Sequence, residues 1–336
     1  MNASRQANRP ARRHALRAAV ALGLMGALAV PAAWAQQKYP DKPIRLVVGY
    51  SAGGGVDAVA RLLGVRLSAV LGQQVLVENR TGATGLIAAD LVAKAPPDGY
   101  TLMMGDSALL IAKLLQPKMG IDPLTSFKPV AGAFISPLMI VTGNDFPAKT
   151  PAELVALLKA HPARYSFATS GVGTVQHLGF EMLKQSTGTF VVHVPYRGAA
   201  QIVPDVIGGQ VPIGVVSATA AMAQAKAGKL RALALMNTAK LEGAESVAPL
   251  ADALPGFDVA PRIFLLAPAG TPNDIVEKLS AAVKAVLETP EAGVAAAAQG
   301  TLRAYATPAQ LGKDMAEETT RWKRIITEQH IVADGG

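Results

Sequence analysis

The 336-residue sequence contains no cysteine. This excludes disulfides and thiolate metal sites and leaves core packing to hold the fold, as suits an exported protein. Aromatic residues make up only 5% of the chain, whereas half of it is apolar. No G-x-x-x-x-G-K-[ST] occurs, and GGGVDA at Gly53–Ala58 lacks the G-x-G-x-x-G spacing, so neither a triphosphate nor a dinucleotide site is indicated. The histidines His161, His177, His193 and His330 show no i,i+4 pair and no neighbouring carboxylate pattern, which argues against a metal centre. No cofactor is implied. Glycine and proline are frequent but dispersed between periodic segments, which indicates many short connections and excludes broad disorder.

Charge of one sign is concentrated at the start. Arg5, Arg9, Arg12, Arg13 and Arg17 precede an apolar run from Ala18 to Val30, and Ala33-Trp34-Ala35 reads as a cleavage site. Residues 1–35 therefore have the layout of a bacterial signal peptide, cut near Ala35, which implies a periplasmic protein. The apolar run is too short for a membrane span. Arg12-Arg13 loosely resembles a twin-arginine signal, but the general secretory route fits better. The chain has 32 Lys and Arg against 24 Asp and Glu; removing the five leader arginines leaves 27 against 24, about +3. No basic cluster remains that would suit nucleic acid.

The mature length of about 300 residues exceeds one ordinary core, so two domains are expected. Strand-like and helix-like runs alternate: Ile44–Val48, then helical spacing through Leu71, then Gln74–Glu78, and onward to the caps at Thr271-Pro272 and Thr307-Pro308. The apolar stretch from Val130 to Val141 reads as one strand. Thr150-Pro151-Ala152-Glu153 is a capping box. The alternation predicts an α/β fold with largely parallel sheets. Ligands in such folds bind beyond the carboxyl ends of strands. Three loops rich in Gly, Ser and Thr stand at such ends, near Ser51, Thr84 and Ser170, and their spread over both halves predicts a cleft between two domains.

The first of these loops is the most informative. GYSAGGGVDAVAR, Gly49 to Arg61, joins a strand to a helix, and a helix N-terminus preceded by glycines suits an anion. The same residues fit G-x-S-x-G, the nucleophile elbow of a serine hydrolase, with Ser51 as nucleophile. The motif follows the first strand of the mature chain and three glycines loosen the turn, so the anion cradle is preferred over the hydrolase. Tyr50 and Tyr196 sit at strand ends beside such loops. Trp322 reads as packing. Asp57 and Asp205 read as residues near helix starts, with either a capping role or a cleft role.

Several motifs, taken in order, carry a resemblance: Tyr39-Pro40, GYSAGGGVDAVAR, LGQQVLVENRTGATG, PPDGYTL, HVPYRGAAQIVPDVIGGQV, AGKLRALAL and APAGTP. The chain resembles the Bug or TctC-type extracytoplasmic solute receptors of tripartite tricarboxylate transporters across nearly all of its mature length. The resemblance implies a type II periplasmic-binding-protein fold: two α/β domains joined by two crossover segments around a central cleft. The expected boundaries are 36–137 plus 263–336 for domain 1 and 138–262 for domain 2. It implies a monomeric solute-binding protein with no enzymatic activity, a small carboxylate as ligand and the transporter's membrane subunits as partners, or a membrane sensor in their place. The ligand-binding residues it suggests are Tyr50, Ser51, Gly54, Gly55, Asp57, Thr84, Ser107, Ser170, Thr174, Arg197, Gly198 and Asp205. One segment departs from the family pattern: NTAKLEGAESVAPLADALPGF, 237–257, lacks the usual Lys-Arg pair and the proline-valine-proline-threonine run.

Overall fold

A computed structural model describes residues 39–332, except 51, 54, 83–84, 197–198 and 239–240. The signal peptide lies outside the described residues. From Lys42 onward the chain builds one compact unit with eleven strands and ten α-helices among the described residues.

The first sheet has the order β11-β4-β10-β3-β1-β2. Its strands are β1 (Ile44–Val48), β2 (Val75–Asn79), β3 (Thr101–Asp106), β4 (Phe127–Ile135), β10 (Arg262–Pro268) and β11 (Leu302–Ala306). The second has the order β7-β6-β8-β5-β9, from β5 (Leu138–Thr142), β6 (Ser166–Thr169), β7 (Val192–Pro195), β8 (Ile213–Ser217) and β9 (Arg231–Leu235). The sheets are mixed, which corrects the expectation of largely parallel pairing. β1 pairs in parallel with β2 and β3, and β6 with β7 and β8. Every pairing of β4, β5, β10 and β11 is antiparallel. The reason is connectivity: strands that follow a passage between sheets enter from the opposite end.

The run 130–141 is broken into two strands in different sheets. Ser136-Pro137 intervenes, and proline cannot continue a ladder. The chain returns between β9 and β10. The two passages lie side by side: Ser136 N–H donates to Pro261 O at 2.9 Å, and Met236 N–H donates to Leu138 O at 2.9 Å. The two sheets are thus joined by two crossovers.

The helices are α1 (Gly55–Leu71), α2 (Leu86–Ala93), α3 (Ser107–Leu115), α4 (Pro151–Ala160), α5 (Val175–Thr187), α6 (Ala199–Ile207), α7 (Ala218–Lys226), α8 (Asn273–Leu287), α9 (Pro290–Ala298) and α10 (Pro308–Glu328). Thr150 caps α4 as its sequence requires, its Oγ1 accepting from Glu153 N–H at 3.2 Å. Thr271 does not cap α8. Its hydroxyl donates to Pro268 O at 2.8 Å, and Pro272 occupies the cap position without a side-chain bond. Thr307 does cap α10. Helix α9 and strand β11 were not anticipated; PEAGVAAAA has almost no amphipathic contrast from which to read them.

Helix α10 serves two cores. Leu311 and Met315 pack with Val47, Met103 and Phe264 of the first sheet. Trp322 and Ile325 pack with Ile140, Phe167 and Phe180 of the second. Trp322 is fully buried, as its reading as a packing residue requires.

Candidate functional site

Four strand ends converge on one cavity of about 560 Å³. Tyr50 comes from the turn after β1, Asp106 from the end of β3, Ser170 from the turn after β6, and Ser217 from the end of β8. The crossovers add Ser136 and Pro261, and the turn from α9 to β11 adds Gln299 and Thr301. The volume falls within the range of small-ligand pockets.

Each of these strand ends leads into a helix, directly after β3 and β8 and through a turn after β1 and β6. The first amides of a helix have no intrahelical acceptor and carry a partial positive charge. Gly55 and Val56 bring the start of α1 to the cavity wall, Ala108 that of α3, Val175 and Gln176 that of α5, and Thr219 that of α7. Thr174 Oγ1 accepts from His177 N–H at 3.3 Å and Ser217 Oγ from Ala220 N–H at 3.4 Å, so each cap uses only one of the free amides. The two sheets also meet at the rim. Thr219 Oγ1 donates to Gln299 O at 3.0 Å, and the backbone of Gly300 comes so near that a Cβ there would lie 1.8 Å from Thr219 Oγ1.

Of the residues suggested by sequence, Tyr50, Gly55, Ser170 and Thr174 line this cavity. Ser51, Gly54, Thr84, Arg197 and Gly198 lie outside the described residues. Ser107, Asp57 and Asp205 are placed elsewhere. Ser107 is fully buried, and its Oγ accepts from Arg262 N–H at 2.9 Å, tying α3 to β10. Asp205 lies in the last turn of α6 rather than near its start, because that helix begins at Ala199. Its carboxylate accepts from the Tyr196 hydroxyl at 2.7 Å. That bond is the main cause of the raised Tyr196 pKa.

Asp57 has a clear structural task. It is 1% exposed, in the first turn of α1. Oδ2 accepts from Gly53 N–H at 2.8 Å and from Arg61 Nε at 2.9 Å, and Oδ1 accepts from Asn79 Nδ2 at 2.8 Å. Asn79 Nδ2 also donates to Tyr50 O at 2.9 Å. The carboxylate thus fastens the glycine loop to α1 and β2. Burial pushes its pKa upward, but the bonds from Arg61, Asn79 and Gly53 outweigh burial and hold it below the usual value. Gly49 is needed beside this loop, because a Cβ there would sit 2.5 Å from Gly85 Cα.

Asp106 is not among the residues suggested by sequence, yet it lines the cavity. The Tyr50 hydroxyl donates to its two oxygens at 2.8 and 3.0 Å. Burial, reinforced by the negative charge of Glu318, pushes its pKa up to about 6, against the lowering effect of the Tyr50 bond. A strand that ends in a polar residue and passes straight into a helix was the available signal; Ser217 at the end of β8 has the same pattern.

Behind the Ser170–Thr174 turn, the His177 and His193 rings stack at 3.9 Å. Gly173 N–H donates to His177 Nδ1 at 3.2 Å, which places any proton of a neutral ring on Nε2, toward Glu181 Oε1 at 3.6 Å. Burial, then the charge of His177, lowers the His193 pKa to about 4. This packing holds the turn in place. Among the described residues, no group of three His, Cys, Asp or Glu could hold a metal, and no helix is long and apolar enough to cross a membrane.

Residues 59–331 match the family model for the tripartite tricarboxylate transporter family receptor. The chain is 33% identical over 293 residues to Protein BugT of Bordetella pertussis, covering 86% of this chain and 90% of that one. It is similar in structure to Rpa4515 of R. palustris, solved with adipate, with a TM-score of 0.75, 30% identity and coverage of 88% and 99%. It is also similar to MatC (Rpa3494) of Rhodopseudomonas palustris, solved with bound malate, with a TM-score of 0.70, 30% identity and coverage of 86% and 100%.

Proposed function

Because the chain belongs to the family of tripartite tricarboxylate transporter receptors, we propose that it captures a small organic carboxylate in the cavity between its two sheets and delivers it to the membrane subunits of such a transporter. One observation carries this reading: four helix N-termini, two from each sheet's side, open onto the same cavity. Their free amides and the hydroxyls of Ser170 and Ser217 are donors to a carboxylate. A wrong ligand that leaves such groups desolvated and unpaired costs about 1–3 kcal/mol for each. The adipate and malate in the two similar structures support the same ligand chemistry.

In this reading the leader 1–35 directs the chain to the periplasm and is removed near Ala35. Residues 36–137 with 263–336 form one domain and 138–262 the other. The ligand is held when the domains rotate together about the paired crossovers, closing the cavity over it. The exchange is binding and release, with no bond made or broken.

A thermal-shift panel of dicarboxylates, hydroxy acids, amino acids and aromatic acids tests the reading. A true ligand at about a hundred times its Kd adds roughly 2.7 kcal/mol of apparent stability. At ~0.6 kcal/mol per degree for a chain of this size, this is a rise of about 4 °C. If no carboxylate at 10 mM raises the midpoint and a fluorophosphonate labels Ser51, the receptor reading fails in favour of a hydrolase.

A further inference from the structure

We infer that Asp106 selects a ligand that carries an ammonium group as well as a carboxylate, so that the cavity takes a zwitterion in preference to a plain dicarboxylate. This rests on the carboxylate-receptor reading above and names the ligand class more narrowly.

Among the described residues that line the cavity, Asp106 is the single charged one. It stands at the carboxyl end of β3, and the neighbouring polar group of the wall is the Tyr50 hydroxyl. That hydroxyl has one proton and spends it on Asp106. Tyr50 therefore offers the ligand an acceptor and no donor. The Asp106 carboxylate has about four acceptor sites; the Tyr50 hydroxyl and the Ala108 and Leu109 N–H groups supply protons to it, which leaves about one for a ligand. The side chains of Tyr50 and Asp106 thus present acceptors and no donor to the cavity.

The start of α3 offsets part of the Asp106 charge, as a helix N-terminus does for any capping carboxylate. Glu318 acts in the opposite direction. It is 3% exposed on α10, its Oε1 accepts from Trp322 Nε1 at 2.9 Å, and its Oε2 is without a hydrogen-bond partner. Its negative charge bears on Asp106 from within the protein. Two acidic groups, one lining the cavity and one behind it, favour a cation over a neutral hydroxyl. A second ligand carboxylate placed here would meet like charge, which disfavours ionisation of one partner or excludes it.

The other side of the cavity carries no charged side chain among the described residues. Val175 and Gln176 begin α5, Thr219 begins α7, and the Ser170 hydroxyl stands beside them. Helix starts on both sides supply backbone donors, but the lining's one charged side chain is an acid, so a molecule with an ammonium beside Asp106 and a carboxylate at the helix starts of the other side complements both.

Calorimetry at pH 7.5 on matched pairs tests the inference: glutamate against glutarate, aspartate against succinate, and 4-aminobutanoate against butanoate. In the wild-type protein at least one amino member is expected to bind about tenfold or more tightly than its deaminated partner, the scale of a desolvated charge-assisted contact. Asp106→Asn should erase that preference and leave the deaminated partner bound as before or more tightly. Equal or tighter binding of the deaminated partner in every pair by the wild type overturns the inference and leaves the receptor reading intact. A preference that survives in Asp106→Asn also overturns it. Absence of binding by every amino member overturns the inference, while the receptor reading is decided separately by the wider thermal-shift panel. The wild-type comparison decides the matter even if the variant does not fold.

Discussion

Replacing Asp57 by Asn keeps the side-chain volume and removes the charge, while every neighbour of the site is a donor. Gly53 N–H and Arg61 Nε point at one oxygen, and Asn79 Nδ2 points at the other. An amide group in either orientation puts an NH₂ against one of them. Asn79 cannot turn over to relieve the conflict, because its Oδ1 accepts from Arg61 Nη2 at 2.9 Å and its Nδ2 also holds Tyr50 O. One charge-assisted hydrogen bond is therefore lost outright, about 2 kcal/mol. The Arg61 contribution is small, since that guanidinium is 49% exposed and rehydrates. At ~0.6 kcal/mol per degree the melting midpoint should fall by about 3 °C. The loss should also fade in acid. The folded-state pKa of Asp57 is lowered, so its stabilisation is present above the unfolded value of 3.8 and lost as pH falls through the folded one. Differential scanning calorimetry of both proteins at pH 7 and near pH 3 measures this. An unchanged midpoint at pH 7, with ligand affinity lost, would refute the reasoning and make Asp57 a direct ligand contact.

Three further outcomes are expected. Trp322→Ala should cost about 3–5 kcal/mol in urea unfolding, because a fully buried indole is removed and the Glu318 Oε1 bond goes with it; a cost under 1 kcal/mol would show that the second core does not depend on α10. Gly49→Ala drives a Cβ into the Gly85 backbone and should cost about 1–3 kcal/mol, with weaker ligand binding by calorimetry; a variant as stable as wild type would mean the two loops part easily. Asp106 has a folded-state pKa raised to about 6, faced by Tyr50 and Glu318. The folded state therefore binds its proton more tightly than the unfolded one, and the group's contribution to stability declines as pH rises from about 4 to about 6. Asp106→Asn should gain on wild type across that interval and hold the gain above it, which parallel melting curves from pH 4 to 8 will show; a constant difference would contradict the shift.

The local elements were legible wherever a period and a punctuating residue coincided. β1 and α1 follow from an apolar run, a glycine turn and helical spacing, and Thr150 and Thr307 cap the helices their sequences mark. What was not legible depended on long-range pairing. The 130–141 run shows no turn chemistry beyond one proline, yet its halves belong to different sheets. Mixed strand direction follows from the crossovers, which no local pattern encodes. In the site, the glycine-rich loops pointed to Tyr50, Gly55, Ser170 and Thr174 because backbone access leaves a compositional mark. Asp106 left none, since an acid before a helix looks like an ordinary cap until β1 brings Tyr50 beside it. Gln299 and Thr301 reach the cavity only because α9 turns the chain back toward the second sheet.

The paired crossovers have a mechanical consequence. Two separate flexible tethers would let the halves of the protein twist as well as swing. Here Ser136 is bonded to Pro261 and Leu138 to Met236, so the two straps work as one ribbon, and a ribbon bends easily about one axis only. Helix α10, rooted at one end in each core, braces the same joint from outside and resists shear along it. For the closure proposed above, this pairing favours a swing about one axis over a twist.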